Sequence, residues 1–239
     1  MTDRICKTEK FLREKLAESR YFMKKPESGA YRLEHSIRVS RIAGEIARAE
    51  GMDEETAIIA GLLHDVSYCL DFDDDDDWKN HGRNSARIAR PFLETLGMDE
   101  KTVNDILYGI AIHVDDEADF EWERTPFALT VGDADNIDRF DAYRLYETLE
   151  NAGYSKLSFA EKRAHTAKTL ERLEKFAEMK FATPAATSLW QERIGFYRDF
   201  YLRLRGQLAA STGYLEEEPD ESAPAPEMNE NLVGLSGHF

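Results

Sequence analysis

The chain has 239 residues, 42% of them hydrophobic and 33% charged, with 31 basic against 47 acidic side chains and a formal net charge of -16. That length suits one large domain or a core domain with an appendage, and so negative a field repels long nucleic acids. No apolar run reaches the roughly 18 residues a membrane span needs, Met1 to Lys10 lacks an apolar signal core, and Cys6 and Cys69 make neither a disulfide framework nor a thiolate metal knuckle; a cytoplasmic protein with no membrane partner is expected.

The patterning is helical from end to end. Ile5 to Lys24 reads as a first helix, broken by Pro26, Ser28 and Gly29. From His35 to Glu50, Val39, Ile42, Ala43 and Ile46 fall at helical spacing with His35 on their face, and Gly51 ends the run. Asp53 is the expected N-cap of a buried central helix, Glu54 to Asp65. A polar loop from Leu70 to Asn80 leads to a helix from about Arg83 to Leu96, bent by Pro91. Asp99 caps the helix carrying Val103, Ile106, Leu107, Ile110 and His113, and Pro126 opens a long one reaching Glu150. Ser158 and Glu161 form a capping box ahead of a stripe of Ala160, Ala164, Ala167, Leu170 and Leu173, which Pro184 ends. Ser188 and Gln191 read as a second box, ahead of Trp190, Ile194, Tyr197, Tyr201, Leu204 and Leu208. This last pair of stripes either packs within the chain or builds a homodimer interface. Glu216 to Asn231 is acidic and rich in Pro and Ala, the composition of a disordered tail. The expected organisation is an N-terminal helix (1–30), a metal-binding domain (31–150), a C-terminal helical pair (151–213) and the acidic tail (214–239).

Chemistry concentrates in six residues of the first 140: His35, His64, Asp65, His81, His113 and Asp135. A lone histidine on an apolar face is usually a hydrogen-bonded core residue. Several on different helices are costly to bury, and a shared cation resolves them together. Adjacent His64 and Asp65 point about 100° apart on a helix, so both serve one cluster at its end. The last carboxylate is a choice between Asp133 and Asp135. Phe127, Val131, Ala134, Ala142, Leu145 and Leu149 define the apolar side, which puts Asp135 at its edge and Asp133 toward solvent. Asp138 also faces inward, as a partner for a ligating imidazole. Imidazole with carboxylate suits iron or manganese first, then cobalt or zinc; magnesium and calcium prefer all-oxygen shells, with magnesium the weaker alternative. Six ligands suit two divalent ions sharing a bridging water rather than one.

These segments resemble the HD-domain superfamily of metal-dependent phosphohydrolases. The match runs through His35-Ser36-Ile37-Arg38, Ala60-Gly61-Leu62-Leu63-His64-Asp65, His81-Gly82 with Ser85-Ala86, Ile112-His113 and Ala134-Asp135-Asn136-Ile137-Asp138. The resemblance implies an all-α bundle and metal roles for His35, His64, Asp65 and Asp135; His81 and His113 resemble the extra ligands of the dinuclear subgroup. The bacterial symmetrical diadenosine tetraphosphate hydrolases are similar in layout, although Val114-Asp115-Asp116 and Val66-Ser67-Tyr68 depart from their pattern. The expected activity is hydrolysis of a phosphate ester or phosphoanhydride in a small molecule, a nucleotide first, by a metal-bound hydroxide. His64 and Asp65 form its catalytic centre, with Asp65 as bridging ligand. Arg38, Lys79, Arg83 and Arg139, near the ligands in sequence, are candidate phosphate contacts, or else salt-bridge partners of the many carboxylates. Oxygenases resembling the superfamily hold two irons with the same six-ligand pattern, so mixed-valent di-iron oxygenation is an alternative, as is a non-catalytic metal-binding module. The run Asp71 to Asp77 forms either a lid beside the site or a solvated loop.

Overall fold

Side-chain caps decide where most of the helices begin. The structure, a computed structural model, describes residues 2–72, 75–211 and 213, with the backbone alone at 75. The expected tail, 214–239, and Asp73 and Asp74 of the acidic run lie outside the described residues. The described residues are helical without a strand: α1 (Asp3–Ala17), α2 (Arg20–Lys24), α3 (Pro26–Ala49), α4 (Glu54–Leu63), α5 (Asp75–Glu94), α6 (Glu100–Ile112), α7 (Pro126–Asp138), α8 (Ala142–Asn151), α9 (Phe159–Ala177) and α10 (Pro184–Ala210). None is long and apolar enough to cross a membrane.

Asp53, Asp99 and Thr125 accept from the backbone N–H three residues on, as expected of N-caps. The Ser158–Glu161 capping box forms both of its bonds. Other boundaries differ from the sequence reading. The first helix breaks at Ser19, whose hydroxyl caps α2 through Phe22 N–H. Pro26 starts α3 rather than ending a helix, because its missing N–H is no loss in a first turn. The stretch read as a loop to Asn80 is helical from Asp75, so Lys79, Asn80 and His81 belong to α5, and Pro91 sits inside that helix. The single helix expected over Pro126 to Glu150 stops at Asp138 and restarts at Ala142, whose N–H the Asp141 side chain accepts. Ser188 and Gln191 lie inside α10, which starts at Pro184 with Thr183 accepting from Ala186 N–H.

The described residues divide into two compact units: those up to Arg139 with Lys180–Leu189, and Phe140–Met179 with those from Trp190 onward. The division falls after Arg139, where the sequence reading drew it at 150. In the first unit α3 packs on α4 and α7, α5 on α6, and α6 on α7. The central helix α4 is apolar nearly all round, and Ile59, Ala60 and Leu63 are wholly buried with Leu12, Leu93, Ile106, Leu107 and Ile110. In the second unit Leu170 and Leu173 of α9 and Trp190, Ile194, Tyr197, Tyr201 and Leu208 of α10 are buried with Phe140 and Phe176, whereas Ala160, Ala164 and Ala167 of the expected α9 stripe are exposed and Leu204 is half-buried; the Trp190 indole N–H donates to Phe176 O at 2.7 Å.

Two glycines set how closely the first unit's helices approach. A Cβ at Gly61 would stand 2.6 Å from Ser40 Cα, so α4 lies with its backbone against α3. A Cβ at Gly82 would stand 2.6 Å from Ala111 O, so α5 lies equally close to α6. These contacts bring His64 toward His35 and His81 toward His113. Gly61→Ala is predicted to cost about 1–3 kcal/mol of unfolding free energy, as overpacking of a tight crossing does. Urea denaturation followed by circular dichroism measures it; an unchanged midpoint would show that the crossing can relax.

Candidate metal centre

Five helices each deliver at least one polar side chain to the middle of the first unit. His35 comes from the centre of α3, Asp135 from α7 and His81 from the second turn of α5. His64 and His113 stand at the C-caps of α4 and α6, where helix-end carbonyls lack partners within the helix. Asp65 follows, leading into a 3-10 turn over Val66–Cys69. His35, His64 and Asp65 are buried; His81, His113 and Asp135 are half-buried.

Every one of the four imidazoles is fixed through Nδ1. His64 donates to Gly61 O at 2.8 Å, His113 to Ile110 O at 2.7 Å, His81 to Trp78 O, and His35 to Asp138 Oδ2 at 2.8 Å. A carbonyl can only accept, so the proton sits on Nδ1 in the first three. Nε2 then carries a lone pair. These nitrogens face each other in two pairs: His35 Nε2 to His64 Nε2 at 3.3 Å, and His81 Nε2 to His113 Nε2 at 3.2 Å.

Asp65 lies between the pairs. Its Oδ2 is 3.3 Å from His64 Nε2 and 3.5 Å from His35 Nε2; its Oδ1 is 3.3 Å from His81 Nε2 and 3.7 Å from His113 Nε2. Oδ1 is buried and accepts no hydrogen bond. Asp135 Oδ1 is 3.1 Å from His35 Nε2 and 4.0 Å from His64 Nε2. Two triads have ligand atoms all within 4.8 Å of one another: His35, His64 and Asp135; and His64, Asp65 and His113. All six residues singled out in the sequence therefore converge. Their donor set, an orphaned carboxylate oxygen among imidazole lone pairs, fits divalent cations.

The electrostatics agree. Burial opposes charge on His35, but Asp135, Asp138 and Asp65 overcome it and hold its pKa well above the usual imidazole value. Burial likewise opposes charge on Asp65, yet the His64 imidazole and the Arg32 guanidinium beside it keep it ionised well below the usual range. Asp135 and Asp138 are lowered too, against their burial, first by hydrogen bonding to His35. Protons and cations thus compete for the same ring nitrogens.

Asp138 stands where the sequence placed it, behind an imidazole. Asp133 corrects the reading: it is half-buried rather than solvent-facing, because Ala182 N–H reaches its Oδ2 at 3.0 Å. Three of the four candidate phosphate contacts are instead held in ion pairs. Arg38 grips Asp138 with two nitrogens at 2.8 and 3.0 Å, Arg83 binds Asn80 and Asp115, and Arg139 reaches Asp135 Oδ2 at 3.4 Å. Lys79 lies on the exposed side of α5. The cation that sequence reasoning missed is Arg32. Its Nη1 donates to Asp65 Oδ2, and its guanidinium lies over the Tyr68 ring at 3.5 Å. The available signal was spacing: Arg32 precedes His35 by three residues, one turn along the same face.

Residues 32–143 match the family model of the HD domain. The chain carries an HD domain over these residues. Ribonuclease Y of Nitratidesulfovibrio vulgaris (strain DP4) is 33% identical over 119 residues, which is 50% of this chain and 20% of that protein. Ribonuclease Y of Mycoplasma mycoides is 44% identical over 62 residues, 26% of this chain and 14% of that one. The chain thus aligns with a fifth or less of these relatives' length. A crystal structure described as a predicted HD superfamily hydrolase, from an uncultured Thermotogales bacterium, shares the fold with a TM-score of 0.54 and 24% identity, over 82% of this chain and 91% of that chain.

Asp138→Asn removes the charge that orients His35 and anchors Arg38. It is predicted to weaken metal affinity about 10- to 100-fold, measured by competition with a chromogenic chelator. Burial pushes the Asp133 carboxyl up to about 6, against about 3.9 in an unfolded chain. The folded state therefore holds that proton more tightly. The stability it contributes is complete below about pH 4, is lost as pH rises to about 6, and stays lost above. Asp133→Asn is predicted to raise the thermal midpoint near pH 7.5, by at most about 3 kcal/mol of stability, and to leave it unchanged near pH 4. A shift of equal size at both pH values would contradict this.

Proposed function

We propose that this protein hydrolyses a phosphate ester or phosphoanhydride of a small molecule, using two divalent transition-metal ions, iron or manganese first, held by His35, His64, Asp65, His81, His113 and Asp135. The observation that carries the reading is the pair of facing imidazole couples with Asp65 divided between them, one oxygen to each. Ions bound there would supply Lewis acidity, bringing a water toward ionisation at neutral pH and neutralising phosphoryl oxygens.

The chain's own residues prepare the rest. Asp138 locks the proton of His35 on Nδ1, and the helix-end carbonyls do the same for His64 and His113. Three carboxylates, Asp65, Asp135 and Asp138, are matched by three guanidiniums, Arg32, Arg38 and Arg139. The protein groups thus balance, and the charge of bound cations remains to be met by an anionic substrate. Arg32, stacked on Tyr68 and paired with Asp65 through Nη1, would turn its other N–H groups toward a phosphoryl oxygen. The six residues come from one chain, so the reading requires no second copy.

A second reading, cleavage of RNA, is favoured by the similarity to proteins named Ribonuclease Y. The net charge of -16 weighs against a polymeric anion. Purified protein loaded in turn with manganese, iron, cobalt and magnesium is expected to release inorganic phosphate from small phosphate esters without dioxygen, and Asp65→Asn to lose activity on the order of a thousandfold or more. Turnover that requires dioxygen would make it an oxygenase. RNA cleavage without phosphate release from small esters would favour the second reading, and activity surviving Asp65→Asn would remove the site from the chemistry.

A further inference from the structure

One aromatic group beside the cluster has no role in holding it. Trp78 is 53% exposed, unusual for so large an apolar side chain. It precedes His81 by three residues on α5, so the two share a helix face, and its carbonyl fixes the His81 ring. Its indole meets Phe72 at 5.6 Å, Tyr68 at 5.7 Å and His81 at 6.4 Å between ring centroids, with interplanar angles of 78°, 81° and 84°. These neighbours hold the indole edge to face without stacking flat on it. Tyr68 continues the wall inward: its ring is 5.5 Å from His81 and carries Arg32, which reaches Asp65. An unbroken row of side chains therefore runs from the candidate ligands to an open aromatic surface.

Resting on the phosphohydrolase reading, we infer that Trp78, braced by Phe72 and Tyr68, is the platform on which the flat base of a nucleotide stacks while its phosphate lies at the six-residue cluster. The chemistry at the two ends differs as the two ends of a nucleotide do. The inner end gathers guanidinium and candidate metal ligands, suited to a phosphate; the outer end offers a π face. Indole and imidazole of adjacent turns are near enough for a single sugar to separate base from phosphate. The exposed Asp76 and half-buried Asp77 lie directly before Trp78 on α5. One phosphate delivered inward meets cations, whereas a run of phosphates continued past the platform meets carboxylates. A mononucleotide satisfies both ends; an extended polynucleotide satisfies only the inner one.

The test compares full-length protein loaded with manganese against four 5′-nucleoside monophosphates (AMP, GMP, CMP and UMP) and ribose 5-phosphate, which carries the same phosphate and sugar without a base. Affinity is read by calorimetry, or as kcat/KM where a probe turns over, and phosphate release is scored separately. At least one nucleotide is expected to be preferred over ribose 5-phosphate by about tenfold, within the range that stacking a base on an aromatic side chain contributes. Trp78→Ala should bring that ratio to about one, and Trp78→Phe should keep most of it, with manganese per chain equal in all three proteins. No preference for any base, including no binding at all, overturns the platform. So does a Trp78→Ala protein that loses manganese and weakens all probes alike, since Trp78 would then only cover His81. Trp78-dependent nucleotide binding with no phosphate released from any probe leaves the platform standing and sinks the hydrolase reading. Phosphate released from ribose 5-phosphate and nucleotides at equal efficiency does the reverse.

Discussion

Four ring nitrogens, brought within 3.2–3.3 Å of each other in two couples, are the constraint on which the first unit depends. His64, His81 and His113 commit their protons to Nδ1 and present Nε2 lone pairs that attract any cation placed among them, while His35 holds a second proton that such a cation displaces. The neighbouring structure leaves them little freedom to turn away. The carbonyls of Gly61, Ile110 and Trp78 and the carboxylate of Asp138 each hold one ring by its far side. Helix crossings without room for a methyl group, at Gly61 and Gly82, hold the backbones that carry the rings. Burying so many polar groups is expensive in an apolar core. It becomes favourable when one charge can be shared by all of them, which is why the ligand set and the bundle are best understood as one structure.

Much of this was legible in the sequence because helical periodicity is a geometric statement. A residue's face follows from its number, so Asp135 could be separated from Asp133, and Asp138 assigned to the inner side, without coordinates. What periodicity cannot supply is contact between remote segments. Asp133 is half-buried because Ala182, 49 positions away, donates to it. The arginines illustrate the same limit. Nearness in sequence made Arg38, Arg83 and Arg139 candidates for phosphate, but a carboxylate on α7, one in the turn after α6 and one a single turn away claimed them first. Arg32, one turn before His35 on the same helix face, is legible by the same periodicity. The acidic run misled in a different way. Consecutive aspartates are poor in helix interiors, yet favourable in a first turn, where they meet the positive end of the helix dipole. Hence α5 starts at Asp75 and takes His81 into a regular helix, one turn after Trp78.

The acidity of the chain and a preference for an anionic ligand are reconciled by distance. Charges separated by more than about 8–10 Å are largely screened at physiological ionic strength, so a small ligand seated at the cluster responds to the groups within a few ångströms of it. There the carboxylates and guanidiniums offset each other, and bound cations decide the sign of the potential. A polymer is too long for this shelter, because its phosphates sample the surface as well as the site. The same argument bears on the similarity to Ribonuclease Y. A likeness confined to a fifth of those proteins does not transfer what they act on. Polymer recognition is a property of an extended surface, whereas the six ligands need only the interior of one small bundle. Two proteins can therefore share the interior and differ in everything a long substrate would touch.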